Sequence, residues 1–400
     1  MNTDVVLSVP AFLAAACVVT AVAATRSRHR GPVAIAFGVH VVIGLAILAV
    51  AGLYLPDAFT YDRVAREYVA FWNHMQDVPP SFALGKEGWV LILACIYRWF
   101  GAAPALGIIF NATLTGLTAA IVMATTVRLG WPSYARTAGL LILMPGFLYS
   151  STLLRESAAW ILTALAAWAA AGLITKGGGV GNTLWLIASF AGMLWIRGSV
   201  AAPIGGALLV GLLLARRRVP VALFVGLCGA LLIGGPLVAR TTSLWGRADL
   251  EHINASRSQL SEARSGFETT VYSTPVDLVE KLPLTLPRAV LGPYPWELGA
   301  LPPSATLDWL SWSLLLVWTW RGLLRSRGRS FLLVVVPALS LLAAIGATSG
   351  NYGTLVRLRS QAAILLIPLA AAGVRHRRPA DPPTGSPTAD RHPASVTPGP

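Results

Sequence analysis

Residues 5–30 read VVLSVPAFLAAACVVTAVAATRSRHR, and this stretch decides the class of fold. An apolar run of about 20 residues matches the hydrocarbon thickness of a bilayer, and here it ends in Arg26, Arg28 and Arg30. Its start carries Asp4 and no Lys or Arg. It therefore lacks the basic leader of a signal peptide and reads as an uncleaved span. The same pairing of apolar run and basic cluster recurs at Arg216, Arg217 and Arg218, at Arg325, Arg327 and Arg329, and at Arg375, Arg377 and Arg378. Short basic clusters between apolar runs follow the positive-inside pattern, which orients spans and faces anionic lipid. The net charge of +14 is thus a membrane signature, not a nucleic-acid footprint.

The whole chain agrees. Of its 400 residues 55% are hydrophobic and 12% charged, against roughly 25% charged in soluble proteins. The mean hydropathy is +0.65. A soluble enzyme, a nucleic-acid-binding domain and a disulfide scaffold are excluded. Cys17, Cys95 and Cys228 all lie in apolar runs and read as small core residues. The expected fold is an all-α polytopic membrane protein.

Candidate spanning segments are 5–24, 33–55, 88–101, 107–127, 138–154, 157–174, 182–198, 201–214, 219–238, 306–324, 331–347 and 356–374. If the basic clusters at 26–30 and 216–218 share the cytoplasmic side, an even number of crossings separates them. The segments number seven, so one does not span. Residues 88–101 are short and contain Arg98; residues 201–214 are short and follow Gly198 with Pro203. A re-entrant or interfacial segment is tolerated only where protein or a water-filled cavity covers it. The count becomes eleven crossings plus one such segment, with the N-terminus outside and the C-terminus inside. The organisation is an N-terminal span and basic turn over 1–31, a transmembrane domain over 32–375, and a disordered cytoplasmic tail over 376–400 rich in Pro, Ser, Thr and Ala.

Two large outer loops follow, 56–87 and 239–305. Thirteen of the seventeen carboxylates fall in them or at their edges, so the charged chemistry is expected outside. The first loop opens Pro56-Asp57-Ala58-Phe59-Thr60-Tyr61-Asp62-Arg63-Val64-Ala65-Arg66. Helical spacing puts Asp57, Tyr61 and Ala65 on one face and Asp62 with Arg66 on the adjoining one. With Phe59, Val64, Tyr68, Phe71 and Trp72 nearby, it reads as a helix at the membrane surface. A carboxylate there suits a general base toward a lipid-linked substrate. The alternatives are a helix cap at Asp57 and a local Asp62–Arg66 pair. Arg155-Glu156 stands between two apolar runs, where ionisable residues are costly. Together with Arg98 and Arg197 these are the main charges within the spans. Asn351-Tyr352-Gly353-Thr354-Leu355-Val356-Arg357-Leu358-Arg359 opens the last span. Arginine forks grip phosphate oxygens, and amides at a helix start favour an anion. Pro293-Tyr294-Pro295-Trp296 suits an interfacial belt or stacking on a sugar ring. Histidines are scattered without metal-ligand spacing. No cofactor motif is present, and a divalent metal stays open.

The order of these pieces resembles a bacterial GT-C class membrane glycosyltransferase, of family 39 and the RgtA/B/C/D-like group. The resemblance covers about residues 50–375. It runs through Asp57-x-x-x-Tyr61-x-x-x-Ala65, Gly85-Lys86-Glu87-Gly88-Trp89, Tyr97-Arg98-Trp99-Phe100-Gly101, Asn111, Pro145, Leu154-Arg155-Glu156, Pro293-Tyr294-Pro295-Trp296 and Asn351-x-Gly353-Thr354-x-x-Arg357-x-Arg359. It implies transfer, at the outer face of the cell membrane, of a sugar from a polyprenyl-phosphate donor to a glycan, lipid or protein acceptor. Asp57 would be the base, with Asp62 sharing or taking that role. Tyr61, Lys86, Arg155, Glu156, Trp296, Asn351, Arg357 and Arg359 would bind substrate. The family often has an acidic residue beside the catalytic one, whereas Ala58 follows Asp57 here, and its periplasmic C-terminal domain is missing. Two other readings are a Wzy-like polysaccharide polymerase, in which arginines dominate, and a non-catalytic flippase or transporter for lipid-linked sugars.

Overall fold

The computed structural model describes residues 3–27, 30–53, 55–80, 86–175, 179–215, 250–262, 265–267, 270–274, 276–326 and 330–374. Candidate segment 219–238, the clusters at 216–218 and 375–378, and the tail lie outside them. The described chain is helical: α1 (Thr3–Arg26), α2 (Arg30–Ala51), α3 (Pro56–Trp72), α4 (Glu87–Phe100), α5 (Pro104–Arg128), α6 (Ala135–Leu140), α7 (Glu156–Thr175), α8 (Val180–Ala215), α9 (Leu250–Ser261), α10 (Asp277–Glu280), α11 (Leu282–Leu291), α12 (Pro303–Arg325), α13 (Leu332–Thr348) and α14 (Tyr352–Gly373). Among the described residues six helices are long and apolar enough to cross a membrane: those in α1, α2, α5, α7, α8 and α14. The protein is an all-α membrane protein.

The helices sort by direction. At one end, Arg128 closes α5 and donates to Asn182 Oδ1 at the start of α8 (3.0 Å). Arg325 closes α12 at this level and donates to the Ala372 and Gly373 carbonyls (3.1 Å each) that end α14. At the other end, Asn111 near the start of α5 donates to the Thr152 and Leu154 carbonyls (2.8 and 2.7 Å) just before α7. The start of α14 lies there too. The basic helix ends thus gather away from the end that carries α3.

Helix α8 holds a sharp reversal. Arg197 is its one non-helical residue, at φ −155° and ψ 69°. A Cβ on Gly205 would lie 2.6 Å from the Phe190 ring, yet in a straight helix 15 residues span about 22 Å. The arms 180–196 and 198–215 therefore fold back on each other, and Gly211 packs on the Leu332 carbonyl at the far end. By contrast α4 has 14 residues, about 21 Å of helix. Its Gly88 packs on Trp195, beside the reversal, and Tyr97 donates to Asp62 of α3 (2.6 Å). Of the two short segments, 201–214 forms the second arm of α8, while 88–101 forms α4, which packs against α3.

The core is built for apolar surroundings. Thr113, Thr115, Thr118, Thr125 and Thr126 each return their hydroxyl to the carbonyl four residues back in α5, since no water is present to satisfy them. Helices α12 and α14 touch backbone to backbone. A Cβ on Gly322 would sit 1.9 Å from the Leu369 carbonyl, and one on Gly373 1.8 Å from the Trp318 carbonyl. Small residues at a crossing permit such an approach. Helix α14 is buried on all sides over 359–373, whereas Gly353, Thr354, Arg357 and Leu358 in its first two turns are only partly buried.

Candidate functional site

Helix α3 begins at Leu55, extended at φ −86° and ψ 127°, with Pro56 in the first turn and no side-chain cap. Pro is pre-organised for this position. Asp57 is therefore not the cap. It lies in the first turn, and its Oδ2 accepts from Arg357 Nη1 of α14 at 2.8 Å. Arg357 sits on the second turn of α14, six residues beyond Asn351. Asn351 is the cap of that helix, its Oδ1 accepting from the Thr354 amide (2.8 Å). A strap from the loop between α9 and α10 holds the turn: Tyr352 N donates to Ser265 O (3.0 Å) and Phe267 N to Gly350 O (3.1 Å). Asn351 thus aims the helix that carries Arg357.

Arg357 has a second carboxylate. Its Nε stands 3.6 Å from Oε1 of Glu156, the first residue of α7. The same Oε1 accepts from Arg197 Nη1 at 3.1 Å. Glu156 and Arg197 are both sealed, with side chains 2% and 3% exposed. The unwound backbone at Arg197 lies where α8 reverses, at the Glu156 end of α7. Asp57, Arg357, Glu156 and Arg197 form an alternating charge ladder joining α3, α14, α7 and α8. Lys86, at the start of α4, and Arg155 act on Asp57 electrostatically. Tyr61, buried one turn after Asp57, feels Arg155, Asp57, Glu156 and Arg197. Arg155 also donates to the Ile196 carbonyl (3.1 Å) beside the reversal.

Four cations, Lys86, Arg155, Arg197 and Arg357, thus face two carboxylates, Asp57 and Glu156. Burial pushes the Asp57 carboxyl up, but Arg357, then Lys86 and Arg155, outweigh it and hold it below the ordinary range. Asp57 is therefore a carboxylate at neutral pH. Its side chain keeps 35% exposure, so it remains open to a ligand. Among the described residues no three His, Cys, Asp or Glu converge to hold a metal.

The other candidates lie elsewhere. Asp62 accepts from Arg66 Nε (2.8 Å) and from the Tyr97 hydroxyl (2.6 Å). It faces α4, away from Arg357. Arg359, two residues after Arg357, points about 200° around the helix. It is sealed on Asp308 of α12 (2.7 Å), on the Gly292 carbonyl and over the Trp312 ring (4.7 Å). Trp296 is exposed and stacks on Tyr294, centroids 4.9 Å apart. Beneath it Glu297 accepts from Arg288 (3.0 Å) and from the Tyr352 hydroxyl. Burial raises Glu297, but Tyr352, the Tyr294 amide and Arg288 hold it below its usual value. The residue that a reading of spacing passed over is Arg197. Its signal was an arginine inside an apolar segment next to Gly198.

No protein family, curated protein or solved structure matches the chain. What composition and fold define is the class, an all-α membrane protein with a charged cluster at one end of its bundle.

Proposed function

We propose that the protein is a membrane glycosyltransferase. It moves a sugar from a polyprenyl-phosphate donor to an envelope glycan, lipid or protein acceptor at the outer face of the cell membrane. The observation that carries this reading is the Asp57–Arg357 pair, 2.8 Å apart. It stands inside a cluster of charged side chains, at the end of the bundle opposite the basic helix ends. Asp57 is the base: it takes the acceptor hydroxyl's proton as that oxygen attacks the sugar carbon. Arg357, with Lys86, Arg155 and Arg197 behind it, carries the phosphate that leaves. Trp296 offers a ring face to a sugar, and Asn351 sets the pitch of α14. Arg359 and Asp62 support the site from outside it.

The helix directions support a count of eleven crossings. From Arg26 to the end of α8 the chain runs through α2, α5, the broken stretch 135–151, α7 and the two arms of α8. That makes six crossings, with α4 lying beside α3 as the interfacial segment. Helices α12, α13 and α14, with α1 and the apolar run 219–238, which lies outside the described residues and is counted from its sequence alone, complete the eleven, and the ladder then faces outward. Cysteines placed at Asp77 and Ser265 should react with an impermeant reagent on intact cells. Labelling of both only after lysis reverses the orientation.

Purified protein given a labelled polyprenyl-phosphate sugar should release polyprenyl phosphate and transfer the sugar. Binding without turnover would leave a carrier. The arginines gathered around Glu156 (Arg155, Arg197 and Arg357) favour a second reading, the polysaccharide polymerase. In that case Arg357 is needed and Asp57 is not.

A further inference from the structure

The ladder Asp57–Arg357–Glu156–Arg197 has a feature that a fixed structural network would not leave. Arg357 makes a good bond with only one of its two carboxylates. Its Nη1 is 2.8 Å from Asp57, while its Nε stops 3.6 Å from Glu156. That Nε, the second oxygen of Glu156 and Nε of Arg197 are buried with no hydrogen-bond partner among the described residues. An unmade bond between buried charged groups costs the full desolvation of each. A small rotation of the guanidinium toward Glu156 would give Arg357 Nε its missing partner and would draw Nη1 away from Asp57. The exposure is graded as well: Asp57 35%, Arg357 19%, Glu156 2%. The open end of the ladder is the end a ligand can reach.

We propose that Arg357 is a two-position latch. Without ligand it is held by Asp57. When an anionic phosphate enters, Arg357 turns to it, anchored from behind by Glu156, and Asp57 is released. This rests on the transferase reading for the identity of the phosphate, a lipid-linked one. Glu156 is a positioning residue: it does not meet the ligand but supplies the second seat of the arginine. Arg197, fixed at the reversal of α8, keeps Glu156 charged and in place. Asp57 competes with the ligand for one guanidinium, so base and phosphate site cannot both be ready before the phosphate arrives. The groups that act on Asp57 are Arg357 from α14, Lys86 before α4 and Arg155 before α7, with Tyr61 on its own helix. The donor must therefore bind before Asp57 can serve an acceptor.

The test is equilibrium binding of polyprenyl phosphate to the purified full chain in lipid nanodiscs, followed by tryptophan fluorescence. A protein whose competent state is a minor fraction binds more weakly by that fraction. Asp57→Asn, which removes the competitor, should therefore tighten binding about tenfold while abolishing transfer. Glu156→Gln removes one negative charge beside the same arginine but also removes the seat, and should not tighten binding. Should that variant fail to fold, Glu156→Asp keeps the charge, shortens the reach and should weaken binding severalfold. Equal tightening by Asp57→Asn and Glu156→Gln would reduce the effect to lost charge and overturn the latch. So would unchanged or weaker binding in Asp57→Asn, or unweakened binding in Glu156→Asp. The outcomes separate from those of the transferase reading. Absence of turnover with the binding changes intact rejects the enzyme and keeps the latch. Turnover without those changes does the opposite.

Discussion

Arg357 and Arg359 lie two residues apart on one helix and each bonds an aspartate, at 2.8 and 2.7 Å. They differ in everything else. Arg359 and Asp308 are 2% and 9% exposed, and the arginine also meets a carbonyl and the face of a tryptophan. Arg357 and Asp57 are 19% and 35% exposed, and the arginine has a second carboxylate within reach. The sealed pair is saturated and can only hold α14 to α12. The open pair is under-satisfied and stands in a cluster of charged side chains. Residue type and bond length do not separate a strut from a site; saturation and access do.

The comparison breaks first at Asp57. Asp57→Asn preserves shape, and no cap is lost because Leu55 occupies that place. Transfer should fall by roughly a hundredfold to ten-thousandfold, the usual worth of a general base, with the fold kept and only a small drop in melting temperature from the lost, half-open ion pair. Full activity would discard the base and favour the polymerase.

The sealed pair should respond in stability instead. Arg359→Met leaves Asp308 as an uncompensated buried charge, a loss of about 3–5 kcal/mol. The double change Arg359→Met with Asp308→Leu should recover most of it, because apolar replacement of a buried pair is often near neutral. Thermal unfolding in detergent measures both. If Arg359→Met keeps its melting temperature and loses donor affinity, the two arginines have been assigned the wrong way round.

Arg357→Ala should reduce donor affinity by on the order of 1.5–3 kcal/mol, about tenfold to a hundredfold. Arg357→Lys should lie between, keeping charge and losing the fork. An unchanged donor affinity in Arg357→Ala removes Arg357 from the phosphate site.

The smallest effect is on pH. The Asp57 carboxyl is held below the ordinary value, about 3.9 for a free side chain. A base that must be ionised then stays ready across neutral pH, and the acid limb of kcat/KM lies below that value. The sign for stability is the same: the contribution is present above the unfolded value and lost as pH falls through the folded one. Arg357→Met leaves burial as the larger influence, so the acid limb should move up. A limb that stays in place shows that Arg357 does not control Asp57.

Much of the local structure was legible. The spacing of Asp62 and Arg66 predicts their bond, and the turn before Tyr352 predicts the start of a helix. Both are read from neighbours along one helix, where geometry is set by 3.6 residues per turn. The cap was misplaced by two residues, because Pro56 at the first position moves it back to Leu55. The pairing of Asp57 with Arg357 spans 300 positions and has no local signal. Nor does the sealing of Arg359, which depends on how closely Gly322 and Gly373 let α12 approach.

The sequence by itself determined that this chain lives in a bilayer, which way its basic ends gather, and that charge collects at the other end. Hydrophobic length and charge bias act segment by segment, so they can be read segment by segment. Only the tertiary structure decided which of two neighbouring arginines is open, that α4 and not the second arm of α8 stays beside α3, and that Arg197 joins the site. Those outcomes depend on which helices touch, and contact between buried helices is set by shape at their crossings rather than by the pattern along any one of them.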